Sequence, residues 1–431
     1  MDMTDRGDEG TTRSSLVDVP ADVPAAVPTQ DPEGRWRALA VLAAAMVLSM
    51  ATWFSASAVL PQLREAWGLS STAASWLTIA VQLGFVAGAL ISAVLGLADR
   101  TEPRRLILAG AIGAAAVNAG LLIVDGPAGA IPLRFLTGAF LALVYPSSLK
   151  AMATWFRYRR GTALGIMVGA LTVGSALPHL VNGLGGADWR LVVAVTSLLT
   201  LAGGLLAGLV FNDGPFPFPP VAFDTRQVGR IMANRGVRLA TLGYFGHMWE
   251  LYAMWAWFVV FFGDLLADRR SGEVAQLASV VTFIVIAAGA LGCWAGGVLG
   301  DRWGRTNTTA LSMAISGACA LTIGFTRDGP LWLVVAVAVV WGFWIVADSA
   351  QFSAIVTEVA DQAYVGTAVT LQLAAGFVLT VVTIWLVPVL RDSAGWTWAF
   401  VLLVPGPVLG VAAMLRLRSL PEARQIAGGR G

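Results

Sequence analysis

Twelve times along this chain an apolar stretch of about twenty residues recurs, the length at which an α-helix spans the hydrocarbon core of a bilayer. The stretches cover roughly 36–60, 72–97, 104–124, 128–150, 161–183, 190–211, 238–263, 275–299, 307–326, 330–352, 364–387 and 396–415. In lipid every backbone N–H and C=O must be satisfied within the segment, so these stretches are expected to be helices. The 431 residues are 57% hydrophobic and only 13% charged, whereas soluble domains carry about 25% charged residues. Seventeen tryptophans suit membrane interfaces and an aromatic-lined cavity. A formal net charge of +2 gives no general attraction to nucleic acid, and no such partner is expected. Cys293 and Cys319 both lie inside apolar stretches with no His or Cys nearby at ligand spacing. No disulfide, metal site or cofactor is therefore expected.

The connections divide the chain. Residues 1–35 are polar, with Pro20, Pro24, Pro28 and Pro32, and hold too little apolar surface to offset the entropy of ordering; they read as a disordered tail. Six helices follow over 36–211, a connection over 212–237, six more over 238–415, and a tail over 416–431. The connection opens with Pro215, Pro217, Pro219 and Pro220, which exclude a regular helix there. Arg226, Arg230, Arg235 and Arg238 then suit either a short helix on phospholipid headgroups or a solvated loop. Twelve spans put both termini on one side. Of the lysines and arginines, 21 then fall on that side and 6 on the other, with Arg134 alone inside the apolar zone. Positive charge stays where it is made, so both termini are expected in the cytoplasm and the protein in the inner (plasma) membrane. The first stretch, starting near Trp36, is long enough to remain as an anchor.

Landmarks repeat. Asp99-Arg100 and Asp301-Arg302 are 202 positions apart, Gly161-Thr162-Ala163 and Gly366-Thr367-Ala368 are 205 apart, and Trp189 and Trp396 are 207 apart. Order and offset are preserved, so the expected fold is all-α, twelve transmembrane helices as two parallel six-helix repeats, with a site between them.

Gly297-Val298-Leu299-Gly300-Asp301-Arg302-Trp303-Gly304-Arg305 resembles the loop motif G-x-x-x-D-R-x-G-R of the major facilitator superfamily. The earlier copy around Asp99-Arg100 is degenerate: its first glycine is shifted by one, and Glu102 and Pro103 replace the Gly-Arg pair. Arg134-Phe135-Leu136-Thr137-Gly138 is similar to that family's intramembrane R-x-x-x-G. The resemblance covers about 36–415 and implies the major facilitator fold, with transport by alternating access and helices 1, 4, 7 and 10 lining the cavity. It also implies that the loop motif latches one conformation, through Asp301, Arg302 and Arg305 and, in the degenerate copy, Asp99 and Arg100. An Asp at a helix end can pair with cations or with the N-terminus of a neighbouring helix. Residues 169–178 of helix 5 are rich in Gly, Ala and Ser, which suits close packing. They lack the family's antiporter pattern.

Ionisable residues inside lipid are costly and mark function by default. Gly243, His247, Glu250, Met254 and Trp257 share one face of helix 7. Depth along the helices puts Arg134 and Glu250 at nearly the same level, so they are expected across one cavity. There a carboxyl moving between an apolar setting and a guanidinium would take up and release a proton. His247, one turn away, would relay it. Trp341, Trp344, Asp348 and Gln351 form a stripe on helix 10, and Trp53, Ser49 and Ser57 a stripe on helix 1. Gln82 and Gln372 are further polar candidates. Arg134 beside aromatic rings would suit a small organic anion. Packing roles compete with each of these readings.

The segment after helix 4 is basic, with Lys150, Arg157, Arg159 and Arg160. Its counterpart after helix 10 is acidic, with Glu358 and Asp361. The two are expected to pair when the inner mouth closes. The function expected is secondary active transport of a small organic solute, proton-coupled, by a monomer in the lipid bilayer. The alternatives are a proton-independent facilitator, an efflux antiporter, or a transporter-like membrane sensor. No Walker A lysine loop, metal-ligand cluster or nucleophile elbow is present in the sequence, so an enzyme is not expected.

Overall fold

The computed structural model describes residues 32–156, 160–186, 188–216, 225–269, 274–361 and 365–431. Among the described residues all regular structure is helical. The helices are α1 (Arg35–Ser49), α2 (Ser55–Ala58), α3 (Leu60–Trp67), α4 (Ser71–Val94), α5 (Leu97–Arg100), α6 (Pro103–Ala119), α7 (Pro127–Ala153), α8 (Arg160–Leu184), α9 (Trp189–Leu209), α10 (Val228–Ala233), α11 (Arg235–Ala267), α12 (Val274–Trp303), α13 (Arg305–Ile323), α14 (Leu331–Trp344), α15 (Ser349–Val359), α16 (Val365–Val401) and α17 (Pro405–Arg418).

Ten runs among the described residues are long and apolar enough to cross a membrane. Two features separate this number from the twelve expected from the sequence. Arg305, Thr306, Asn307, Thr308, Thr309 and Ser312 make the start of α13 polar. Val365–Arg418 counts as a single run of 54 residues, about 80 Å of helix at 1.5 Å per residue, far beyond a bilayer core. That run turns at Gly395, whose φ of 85° lies in the left-handed region open to glycine, and breaks again before Pro405.

Two stretches that read as continuous helices are interrupted. The first breaks into α1, a short 3₁₀ turn over Met50–Thr52, α2 and α3, with Trp53 at the interruption. The tenth breaks between α14 and α15, with Asp348 as the residue before α15. The connection after α9 holds α10, which carries Arg230 and buries Ile231. The tail does not run free. Residues 421–429 fold back under the second half of the chain, burying Ile426, and Arg430 donates from Nη1 to the carbonyl of Asp301 at 2.8 Å. Residues 1–31 lie outside the described residues.

Glycines set the closest helix pairs. A Cβ on Gly138 of α7 would overlap the Val81 carbonyl of α4, and a Cβ on Gly342 of α14 would overlap the Val285 carbonyl of α12. Each residue of the second contact lies 204 positions after its counterpart in the first. Between the two halves of the chain, α8 lies along α12 and α4 along α16. α11 is apolar on nearly all sides and is the most enclosed span: 83% of its most apolar window is buried, against 39–67% for the others.

Candidate functional site

Arg134 is fully buried and belongs to the break in the first helix. Its Nη1 donates to the Thr52 carbonyl at 2.9 Å, to Ser55 Oγ at 3.0 Å and to Asn118 Oδ1 at 3.0 Å. Its Nη2 donates to the Trp53 carbonyl and its Nε to the Leu77 carbonyl. A helix interruption leaves carbonyls without intrahelical donors, and a guanidinium fork can serve several at once. Ser55 donates onward to Asn118 Oδ1 at 2.7 Å, and Asn118 Nδ2 to Ser197 Oγ at 2.9 Å. Arg134 thereby ties the interruption after α1 to α2, α4, α6 and, through Asn118, α9. Gly138, one turn along α7, lets that helix come close enough to α4 for this reach.

Glu250 sits in a separate nest. Its carboxylate accepts from Trp341 Nε1 at 2.6 Å and from Ser316 Oγ at 2.9 Å. One turn back along α11, His247 Nδ1 lies 2.8 Å from Asp348 Oδ1, with both side chains 1% exposed. α11 and the α14–α15 pair are thus joined by two rungs, Glu250–Trp341 and His247–Asp348. His247 Nε2 is buried without a partner. Both rungs follow the stripes expected for helices 7 and 10. The pairing of His247 with Asp348 was not expected.

The structure does not bring Arg134 and Glu250 together. Among the described residues no hydrogen bond or ion pair joins them, and each is satisfied within its own half of the chain. Equal depth along two helices fixed their height and left their bearing open. Trp257 is buried and donates to the Ile384 carbonyl at 2.9 Å, toward α16. Trp344 is half-buried against Phe343, at 5.2 Å between ring centroids, and takes no part in the Glu250 nest.

Trp53 leads to groups that sequence reasoning passed over. Its ring lies 4.9 Å from Phe85 and 6.0 Å from Tyr252, and Phe85 lies 4.7 Å from Phe377. Phe54 and Trp255 complete the set at 5.8 Å. These rings come from both halves of the chain and meet between them. A lone Phe or Tyr in an apolar helix carries no mark in the sequence; the adjacency of Trp53 and Phe54 at one break was the available signal.

At the end carrying the loop motif, Asp301 reaches the other half. A Cβ on Gly161, in the first turn of α8, would lie 2.8 Å from both Asp301 carboxylate oxygens. Arg305 Nη2 is 2.9 Å from Glu358 Oε1, its Nη1 donates to Gln351 Oε1 at 2.8 Å, and its Nη2 is 3.8 Å from Asp301 Oδ1. Glu358 also accepts from the Ala427 N–H at 3.0 Å. Glu358 was expected against the basic segment after helix 4 when the inner mouth closes; here it is held by Arg305 of α13, in its own half. Arg157 and Arg159 lie outside the described residues, as do the side chains of Arg160 and Asp99. Lys150 stands in the last turn of α7, Asp361 just beyond α15, and Arg100 and Arg302 are exposed. In the degenerate copy, Glu102 clamps Arg104 and Arg105, each at 3.0 Å. The hydrogen bond from Arg104, aided by the nearby Arg105 charge, holds the Glu102 carboxyl below the usual carboxylate range.

The opposite end is closed by a chain of contacts that the sequence did not suggest. Arg64 Nη2 donates to Ser71 Oγ at 2.9 Å, and Ser71 Oγ to Asp392 Oδ2 at 2.9 Å, across the halves. Arg391 bonds Asp392 at 3.2 Å and Asp264 at 2.7 Å. Beside it lies a cavity of about 320 Å³ lined by residues of both halves, among them Gln62, Asn182, Asp264 and Arg391.

Comparison with known proteins places these features in context. The profile described as Major Facilitator Superfamily matches residues 42–268, and the profile described as Sugar (and other) transporter matches residues 240–422. The multidrug efflux pump LfrA of Mycolicibacterium smegmatis is 31% identical over 45% of this chain and 40% of its own length. A probable actinorhodin transporter of Streptomyces coelicolor is 25% identical over 55% of this chain and 43% of its own. The gallate transporter of Pseudomonas putida is 23% identical over 65% and 69%. The match spans less than half the length of the first two of these relatives.

Proposed function

This chain belongs to the Major Facilitator Superfamily, and on that premise we propose that it carries a small organic solute across the plasma membrane by alternating access, coupled to protons. It is a multi-pass membrane protein of a transporter family rather than an enzyme family.

In this reading the chain crosses the membrane twelve times, as six-helix bundles over 36–211 and 238–415 joined by 212–237. The recurrence of the Gly138–Val81 contact as Gly342–Val285, 204 positions later, supports two copies of one unit. The 21-to-6 split of basic residues supports cytoplasmic termini. The monomer is the working unit, because the proposed path lies between its own two halves.

The observation that carries the coupling role is the pair of rungs on α11. Two carboxyls and an imidazole buried in an apolar bundle are retained at a cost that packing alone does not require. Ionised Glu250 is stabilised by the Trp341 N–H and the Ser316 O–H. If the rocking is accompanied by a shift of α11 against α14 within the second half, those donors are lost and the carboxyl takes a proton instead. His247 faces Asp348 with Nδ1 and keeps Nε2 unpartnered, so it can pass a proton between the loop-motif end and Glu250. Asp301 on the first turn of α8 and Ser71 on Asp392 act as latches at the two ends.

The test uses membrane vesicles carrying the protein and an imposed pH gradient. Addition of coumarin, an uncharged bicyclic aromatic, should discharge part of the gradient in wild type and not in Glu250→Gln. A gradient unaffected in wild type contradicts transport of this solute with protons, and an equal discharge in Glu250→Gln contradicts the role of Glu250. Export in exchange for protons is the second reading, favoured by the 31% identity to a multidrug efflux pump.

A further inference from the structure

We propose that the surface on which the two halves meet takes a flat, uncharged aromatic solute that offers hydrogen-bond acceptors. The inference rests on the transport reading and names the class of molecule for it.

The rings come first. Trp53, Phe54 and Phe85 from the first half lie against Tyr252, Trp255 and Phe377 from the second. Trp53 and Tyr252 are 6.0 Å apart at 28°, and Phe54 and Tyr252 are 6.1 Å apart at 15°. Ring-to-ring contacts are exchangeable: a flat guest entering the seam replaces each of them with an equivalent stacked or edge contact. An aliphatic guest of the same size would forfeit that geometry.

The polar atoms come second. Trp53 Nε1, Trp255 Nε1 and both amide atoms of Gln82 are buried without a hydrogen-bond partner, with the three residues 0–1% exposed. Gln82 lies one turn from Phe85 on α4. The contrast within the molecule is sharp. Trp249 donates to the Leu402 carbonyl, Trp257 to the Ile384 carbonyl and Trp341 to Glu250. Buried donors in native proteins are paired unless something is missing. In the seam two indole N–H groups lack acceptors, and a carbonyl or ring oxygen on a guest supplies them. The Gln82 amide meets either polarity.

Charge comes third. The charged side chains buried among the described residues are Arg134, Glu250 and Asp348, with the imidazoles of His247 and His179. All three guanidinium nitrogens of Arg134 are engaged by the first half. Both Glu250 oxygens accept bonds, and Asp348 faces His247. The Arg134 guanidinium nitrogens and the Glu250 oxygens are thus already engaged and offer no open hydrogen-bonding atom to a charged guest in the seam, so an uncharged solute replaces the small organic anion that Arg134 suggested in the sequence.

The experiment measures the apparent melting temperature of the full chain in detergent, since a ligand that binds the folded state raises it. Three bicyclic probes of similar size are compared: coumarin (uncharged, two acceptors), 2-naphthoate (anionic) and N-methylquinolinium (cationic). Coumarin is expected to give a saturable upward shift and the two ions none. Gln82→Leu should abolish the coumarin shift while leaving the unliganded protein as stable as wild type or more so, because it removes a buried amide without partners. Trp255→Phe should weaken the coumarin shift in the same way. A shift from either ion with coumarin inert overturns the proposal, and so does a coumarin shift unchanged in both variants. Binding of coumarin without any discharge in the vesicle experiment would instead fail the transport reading.

Discussion

The Asp301 carboxylate rests on Gly161, in the first turn of α8, with no room between them for a methyl group. This joins the loop motif of the second half to a helix start in the first. The unpaired N–H groups of a helix N-terminus favour an anion there. Gly161→Val should push the two helices apart at this end. Labelling of a cysteine at Thr162 should then rise several-fold over its rate in the wild-type background. Asp301→Asn keeps the shape and removes the charge, and should raise labelling by a smaller factor.

Arg134 is a structural tie. Arg134→Gln leaves the Thr52 and Trp53 carbonyls without donors and should cost about 2–4 kcal/mol of stability. Arg134→Lys keeps the charge but not the fork, and should recover only part of it. Thermal unfolding of the purified variants checks both values. Lysine restoring full stability would show that charge alone matters here.

The Glu358–Arg305 pair is part-buried and bidentate, joined by Gln351 and the tail. A double-mutant cycle between Arg305→Ala and Glu358→Ala should give a coupling of about 1–2 kcal/mol, above the level of exposed pairs. Coupling near zero would return Glu358 to the role expected from the sequence, as a partner of the basic segment after α7.

Glu102 gives a pH signature at the degenerate motif. Its folded value is lowered from 4.5, chiefly by the hydrogen bond from Arg104. A carboxyl lowered by folding adds stability above its unfolded value, and that stability is lost as pH falls through the folded value. Wild type should therefore lose slightly more stability than Glu102→Gln as pH drops below about 4.5. Identical pH profiles for the two proteins would show that the clamp is not formed in solution.

What was legible in the sequence depended on the range of the signal. Helix existence follows from apolar length, and the 3.6-residue spacing put His247 and Glu250 one turn apart on α11, where both meet the α14–α15 pair. The stripe on helix 10 named Trp341 and Asp348, but not that they would meet Glu250 and His247 of α11. The breaks at Trp53 and Asp348 were hidden, because neither contains proline and an apolar run looks the same bent or straight. The Ser71–Asp392 bond spans 321 positions, and nothing local in either segment announces it. The guanidinium of Arg134 was read as facing a cavity because its helix break, and hence its carbonyl partners, could not be seen.

The account rests on the two halves rocking about the seam. The most direct measurement is a pair of spin-label distances by double electron–electron resonance in wild type and in Glu250→Gln. One pair joins the exposed positions Thr72 and Ser393 at the Ser71–Asp392 end, and the other joins Arg105 and Arg302 at the loop-motif end. The account predicts opposed changes between acidic and neutral pH, one distance lengthening as the other shortens, with the response lost in Glu250→Gln. Distances that stay fixed in every condition, or that lengthen together, would contradict it.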